Sequence, residues 1–484
     1  MNFRLLSFFL GKLCLTCGAA LLLPSLLALY GDEKTAYDFL SSSLIAGSLG
    51  FFFVGYGNAD GKGITYREGV AIVGLGWLII TLLGSLPYIF AGVLDPVSAF
   101  FESVSGFTTT GVTAFEKISS LPSSVLLWQS MTHWFGGIGI VVVFIALLPQ
   151  VGSGTVHMFN AEVTGPTAER VMPRIKNTAL VLFKIYALFT LSAMLLLMLA
   201  GMSVFDAVTH SLSTIAAGGF SNYDDGIAHF NSPLIEGIIT FFMIVAGSNF
   251  GLYYQASHNG LRALWQNTEF RAYVSIIVLM SIAIAGNLYY NNVFNGTNSL
   301  RYSIFHVTSV ISTTGFVSGD FNNWPTFSKL GLLFLMVVGG CAGSTAGGIK
   351  VSRLVVLVKM VFAHLKGTFH PSMVFDITMN GKTVPSRVIA GIARFFFLYV
   401  VVFAVLSFLM AASGLSVVES IGIIAATISS VGPVLGVAEA AFVYSEITPF
   451  GKMVVCLSML LGRLELFTLL VLLRPEFWRS TRYW

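Results

Sequence analysis

The chain of 484 residues is 55% apolar and only 10% charged, with a formal net charge of +4 at neutral pH. Soluble domains carry roughly a quarter of their residues as Asp, Glu, Lys or Arg, so this composition excludes an ordinary soluble enzyme or binding domain. The slight positive excess is the usual bias of a polytopic membrane protein and gives no reason to expect nucleic acid as a partner.

In chain order, Arg4 and Lys12 precede a leucine-rich run. A signal peptide would begin this way, but the run is long, lacks a convincing small-residue cleavage site and is followed by a second apolar segment at 39–57, so it reads as a retained helix. Ten membrane segments are predicted, near 3–30, 39–57, 67–94, 123–149, 176–202, 233–258, 271–290, 327–365, 386–412 and 449–473. Cys14 and Cys17 have the spacing of a redox pair, yet they lie on an apolar helix, and Cys341 and Cys456 also sit in apolar stretches, so no disulfide framework is expected. With the N-terminus inside, Lys62, Arg67, Arg170, Arg174, Lys176, Arg262, Arg271, Lys359, Lys366, Lys382, Arg387, Arg474, Arg479 and Arg482 fall on the cytoplasmic side. Lys34, Lys117, Arg301, Lys329 and Lys452 are left outside, and both termini are cytoplasmic.

Four turns divide the chain: FTTTGVT around Gly111, IAAGGFS around Gly219, STTGFVS around Gly315 and SSVGPVL around Gly432. Each lies between two long apolar segments, which predicts a fourfold repeat of membrane helix, re-entrant loop and membrane helix, the plan of a cation pore. The predicted units are two extra helices at 1–60 and four repeats at 61–160, 161–262, 263–380 and 381–484. One such turn would be an ordinary helix cap or loop; four in the same relation to paired membrane segments are not.

Aligned on their glycines, the turns have Ser103, Ser211, Val307 and Ile424 eight residues upstream, and Ser98, Asp206, Tyr302 and Glu419 thirteen upstream, where short pore helices are expected to begin. Such helices would aim the negative ends of their dipoles at the membrane centre, and the turns would offer carbonyls in place of water. The filter strands are Thr109, Thr110 and Gly111; Ala217, Gly218 and Gly219; Thr313, Thr314 and Gly315; and Ser430, Val431 and Gly432. The hydroxyls of Thr109, Thr110, Thr313, Thr314 and Ser430 are expected near the same ions. Five residues past the glycine stand Glu116, Asp224 and Asp320, with Val437 in the fourth repeat and Glu439 two residues later. These acids either ring an outer mouth or are plain solvated loop residues.

From Lys329 to Leu365 runs one apolar stretch of 37 residues. As an unbroken helix it would be about 55 Å long against a hydrocarbon core of about 30 Å, so it must break. The break is expected at GGCAGSTAGGIK, residues 339–350, where irregular backbone must line a cavity or be buried in protein. Gly343, Ser344, Thr345, Ala346, Gly347, Gly348 and Lys350 therefore form a candidate gate. The alternatives are close small-residue helix packing and a phosphate loop, which fits poorly because no glycine directly precedes Lys350. Arg463 lies about 16 Å from the end of the last span at helical rise and should face the interior or a water cavity. Glu465, two positions on, points elsewhere. His133, His210 and His306 are expected to pack or cap rather than bind metal.

Through SVSGFTTTGVTAFE, the GGFS and STTGF turns, HWFGGIGI at 133–140 and GSTAGGIK at 343–350, nearly the whole chain resembles the superfamily of K⁺ transporters that includes TrkH, TrkG, KtrB and the plant and fungal HKT and Trk proteins. The two extra leading spans are similar to the TrkH and TrkG branch. The resemblance implies an all-α polytopic membrane protein with four helix–pore loop–helix repeats around one central pore. It implies K⁺ as the transported ion, no organic cofactor on this chain, and a homodimer in a bacterial inner membrane. It also implies a TrkA-like cytosolic ring binding NAD(H) or ATP, docked on the basic inner loops. Glycine at all four filter positions goes with K⁺ in this superfamily and serine in the first repeat with Na⁺, so Gly111 implies K⁺. Arg463 matches by position a last-helix arginine that helps close the path beside the intramembrane loop. The second filter, which lacks threonine, and Val431 with Pro433 in the fourth depart from the pattern. A symporter coupled to H⁺ or Na⁺ is the alternative reading, since sequence does not separate it from a channel. A polytopic membrane enzyme would need acid, base or metal groups converging at one depth, and the polar residues here are scattered.

Overall fold

The computed structural model describes residues 1–58, 64–139, 175–369, 376–433 and 442–478. Lys62, Arg170, Arg174, Val437, Glu439, Arg479, Arg482 and the 140–149 part of the fourth expected segment lie outside the described residues. The chain is a helical, multi-pass membrane protein. Phe3–Tyr30 and Ala36–Tyr56 form an antiparallel pair ahead of the repeats. Their backbones touch where Gly11 meets Gly50, because a Cβ on either glycine would fall within 3.0 Å of the other's carbonyl oxygen. All four cysteines are buried and free.

The first helices of the four repeats are long and apolar enough to cross a membrane: Arg67–Phe90, Thr178–Leu199, Thr268–Tyr290 and Ser386–Ala411. A pore helix follows each: Pro96–Phe107, Val204–Ile215, Gly296–Ile311 and Val417–Ile428. These begin two to six residues earlier than the sequence suggested, because the caps lie upstream of the acids. Asp95 accepts from Val97 N and Ser98 N. Ser203 and Ser416 accept from the N–H groups of Asp206 and Glu419, which stand at the third helical position and bond back. Tyr302 lies well inside its helix rather than at its start.

The second helices differ from expectation. The third repeat breaks as its length demanded, into Thr326–Val338 and Val351–Phe369 around the non-helical loop. The expected single span at 233–258 is instead Pro233–Ala246 and Phe250–Asn259, bent by 92°. Gly247 ends the first piece, and the Asn249 side chain accepts from Gly251 N to start the second. The expected span at 449–473 stops at Arg463, and Glu465 and Leu466 take φ of 54° and 50° before Phe467–Leu472 resumes. In the first repeat Ser123–Gly137 ends before Gly139, which has φ of 81°. The fourth repeat returns to the first where the buried Lys452 donates to Ser98 Oγ at 2.8 Å.

Candidate ion-conduction site

The four turns have one backbone geometry. The N–H of the residue before each glycine donates to the carbonyl five residues back: Thr110 to Ser105 (3.0 Å), Gly218 to Ser213 (2.9 Å), Thr314 to Ser309 (2.9 Å) and Val431 to Ala426 (2.8 Å). Thr109, Ala217, Thr313 and Ser430 hold φ between 55° and 57°, and Gly111, Gly219, Gly315 and Gly432 between 75° and 95°. Each strand thus takes two left-handed residues, and the first is not glycine in any repeat. A left-handed Thr or Ser costs energy and persists only where its surroundings enforce it.

The glycines are required by space as well as by φ. A Cβ on Gly111 would fall within 3.0 Å of the Gly218 carbonyl oxygen, one on Gly219 against that of Thr314, one on Gly315 against that of Val431, and one on Gly432 against that of Thr110. Each repeat's glycine therefore abuts a carbonyl of the next repeat, and the fourth closes on the first. Four strands ring one axis.

Side chains behind the strands hold them. Thr110 and Thr314 hydroxyls bond the Thr108 and Ser312 hydroxyls at 2.8 Å each, and Thr109 donates to its neighbour's carbonyl at 2.7 Å. These hydroxyls, expected near the ions, are engaged within the protein. Ser105 and Ser309 donate to the carbonyls of Val112 (2.5 Å) and Phe316 (2.7 Å), just past two of the glycines. Nine residues before the glycine, Glu102 accepts from Ala114 N at 2.8 Å and from Gln129 at 2.6 Å. At the same position His210 meets Ser221 Oγ at 3.1 Å and His306 the Gly319 carbonyl at 3.3 Å. In the fourth repeat Tyr444 OH donates to the Gly432 carbonyl at 3.1 Å. His133, from Ser123–Gly137, lies beside Gly218, bonds Ser213 Oγ at 3.0 Å and stacks on Phe220 at 4.1 Å.

Outside the ring opens a vestibule of about 560 Å³ lined by all four glycines and by Glu116, Asp224 and Asp320. Two of these acids also have structural duties. Asp224 accepts from Ile118 N and Ser119 Oγ at 2.6 Å each, and Asp320 from Asn322 N at 2.9 Å and Asn323 Nδ2 at 2.6 Å.

Inside the ring, the 339–350 loop leaves a cavity of only about 80 Å³, lined by Gly343 through Gly348, Lys350, Arg463 and Glu465. The loop is tied to three repeats' filter regions. Gly347 N donates to Thr313 Oγ1 at 2.7 Å, Thr345 Oγ1 to the carbonyl of Ile215 at the end of the second pore helix at 3.2 Å, and a Cβ on Gly347 would strike the Ser429 carbonyl. Glu269, which sequence reasoning missed, accepts from Ala342 N (2.7 Å) and Ser352 N (3.1 Å) at the two ends of the loop. Lys350, at φ 81°, returns its ammonium to the Ala346 carbonyl. Arg463 donates to the carbonyls of Thr345 (3.1 Å), Gly136 and Gly137 (2.8 Å). Glu465 pairs with Arg353 at 2.7 Å.

Four re-entrant repeats around one axis are the architecture of a class of membrane cation-transport proteins. The chain belongs to the TrkH family: a family model described as a cation transport protein matches residues 58–480. It is 37% identical over 486 aligned positions to the Trk system potassium uptake protein TrkH of Salmonella typhimurium, covering 99% of this chain and 100% of that one. It is 30% identical to the Trk system potassium uptake protein TrkG of Escherichia coli, with 99% of each chain covered. The crystal structure of the potassium transporter TrkH from Vibrio parahaemolyticus superposes with a TM-score of 0.90 at 34% identity, over 99% of this chain and all of the other.

Proposed function

We propose that the protein moves K⁺ selectively across a bacterial inner membrane through the ring formed by Gly111, Gly219, Gly315 and Gly432. The observation that carries this reading is the cyclic abutment of each glycine on the next strand's carbonyl. Carbonyls fixed at one level on four sides can replace a cation's hydration shell, and the pore-helix C-termini add partial negative charge below them. With the Thr109, Thr110, Thr313 and Thr314 hydroxyls engaged elsewhere, backbone oxygens are the ligands. The relatives' names, potassium uptake proteins, favour K⁺ as the ion.

The 339–350 loop is the gate. It fills the axis directly inside the ring, held shut by Arg463, Thr313 and Glu269. A TrkA-like cytosolic ring binding NAD(H) or ATP would bias it, acting on a homodimer whose termini face the cytoplasm. The test is purified protein in liposomes with K⁺, Na⁺ and pH gradients imposed separately. The reversal potential should follow K⁺ alone. A potential that shifts with pH at fixed K⁺ would replace conduction with coupled transport, and one that follows Na⁺ equally would remove the selectivity.

A further inference from the structure

The geometry points to His133 as the residue that shapes the second filter strand, its imidazole standing in for the threonine side chain that this strand lacks. The inference rests on the filter reading above and extends it to a residue of a different repeat.

The position before the filter glycine is Thr110, Gly218, Thr314 and Val431 in the four repeats. In the first and third, the threonine hydroxyl bonds a hydroxyl two residues earlier, on Thr108 or Ser312, at 2.8 Å. That partner position in the second repeat is Ala216, so the second strand has neither member of the pair. It nonetheless holds the same turn, with φ of 55° at Ala217 and 86° at Gly219. A two-glycine strand has little of its own to hold that conformation, because glycine gives up the most freedom on ordering.

The space where a side chain on Gly218 would begin is taken by the His133 ring: an added Cβ would meet Nδ1, Cγ and Cε1, all within 3.0 Å. The ring is held from both sides. Its Nδ1 bonds Ser213 Oγ at 3.0 Å, and its face lies flat on Phe220, the residue after Gly219, with centroids 4.1 Å apart and planes 12° apart. Ser213 is the equivalent of Ser105 and Ser309, which pin carbonyls just beyond their own glycines. In the second repeat the serine reaches the strand through His133. The other ring nitrogen, Nε2, is fully buried with no hydrogen-bond partner among the described residues. Such a nitrogen costs stability.

The experiment is a reciprocal swap read by K⁺/Na⁺ permeability ratios in liposomes, with Gly111→Ser as the control for the filter itself. His133→Ala should lower the ratio by about tenfold, equivalent to ~1.4 kcal/mol of discrimination. Gly218→Thr alone should also lower it, since threonine and the ring claim one space. The double variant His133→Ala/Gly218→Thr should recover the parental ratio to within about twofold, where independent effects would add. A histidine that only fills space would be rescued in stability but would leave the permeability ratio parental in His133→Ala. If His133→Ala alone does not accumulate in the membrane, the K⁺/Na⁺ ratio of the double variant decides, a parental ratio supporting the inference and a lowered one overturning it. Parental selectivity in His133→Ala, or additive losses in the double variant, while Gly111→Ser loses discrimination, would overturn the role of His133 alone. Parental selectivity in Gly111→Ser would remove the filter reading and this inference with it.

Discussion

Arg463 donates to the carbonyl of Thr345 at 3.1 Å, so a charge in the last repeat holds the apex of a loop that belongs to the third. The same guanidinium reaches the carbonyls of Gly136 and Gly137 in the first repeat. One side chain therefore ties the first repeat to the loop of the third. If the loop is the gate, Arg463 is its latch.

Arg463→Ala should raise K⁺ flux in the absence of any cytosolic partner. Hydrogen bonds to a charged group contribute about 1.5–3 kcal/mol each, so losing one such contribution shifts the closed-to-open ratio by about 10- to 150-fold. Flux from purified variants in liposomes, normalised to inserted protein, checks this, as does shortening residues 343–347. Normal insertion with parental flux in both variants would reduce the loop to packing.

Thr313 joins filter and loop, since its Oγ1 accepts from Gly347 N at 2.7 Å. Thr313→Ala should raise basal flux several-fold, whereas Thr313→Ser, which keeps the oxygen, should stay near parental; a neutral hydrogen bond of about 1 kcal/mol sets the scale. Glu269→Gln, which loses the carboxylate at the loop's two ends, should act in the same direction as Thr313→Ala. Equal flux from the alanine and serine variants would show that the hydroxyl does not restrain the loop.

Gly111→Ser and Gly315→Ser should each raise Na⁺ permeation relative to K⁺. The new Cβ would have to displace the carbonyl of Gly218 or Val431, and the left-handed backbone would be strained as well. Gly237→Ala is the matched control, because nothing lies within 4 Å of a Cβ there. Reversal potentials under mixed K⁺ and Na⁺ gradients decide it, and unchanged discrimination in both serine variants would end the filter assignment.

The outer acids should separate into two kinds. Glu116 is exposed and makes no side-chain hydrogen bond among the described residues, so only its charge is expected to matter. Glu116→Gln should lower flux at about 10 mM salt, where the Debye length is about 30 Å, and approach parental flux at 1 M, where it is about 3 Å. Asp224→Asn should in addition loosen the Ile118 N–H and Ser119 hydroxyl that its carboxylate holds, lowering flux and thermal stability at every ionic strength. Flux and melting measurements at both salt concentrations distinguish them. An identical salt response from the two variants would contradict the division.

The parts of the site legible in sequence were those whose chemistry restricts residue type locally. Gly111, Gly219, Gly315 and Gly432 stand out because no other residue fits a left-handed turn against a neighbouring carbonyl. The 339–350 break follows from a length that cannot fit a bilayer. The bends at 247–249 and 464–466 were not legible, since each occupies three residues inside an apolar stretch whose length is unremarkable for a span. The bonds from Glu269 to Ala342, from Asp224 to Ile118 and from His133 to Ser213 join residues 73, 106 and 80 positions apart, and nothing local announces such partners.

The circle of glycines and carbonyls also sets an order of manufacture. Thr110 is among the first filter residues to leave the ribosome, yet the glycine that abuts its carbonyl is Gly432, and Ser98 above it waits for Lys452. Until Gly432 is made the ring therefore stays open at one place, and the Thr110 carbonyl lacks the glycine that abuts it. On the proposed reading, discrimination between cations belongs only to a chain that reaches the fourth turn, and a premature stop before it leaves the first turn as incomplete as the last.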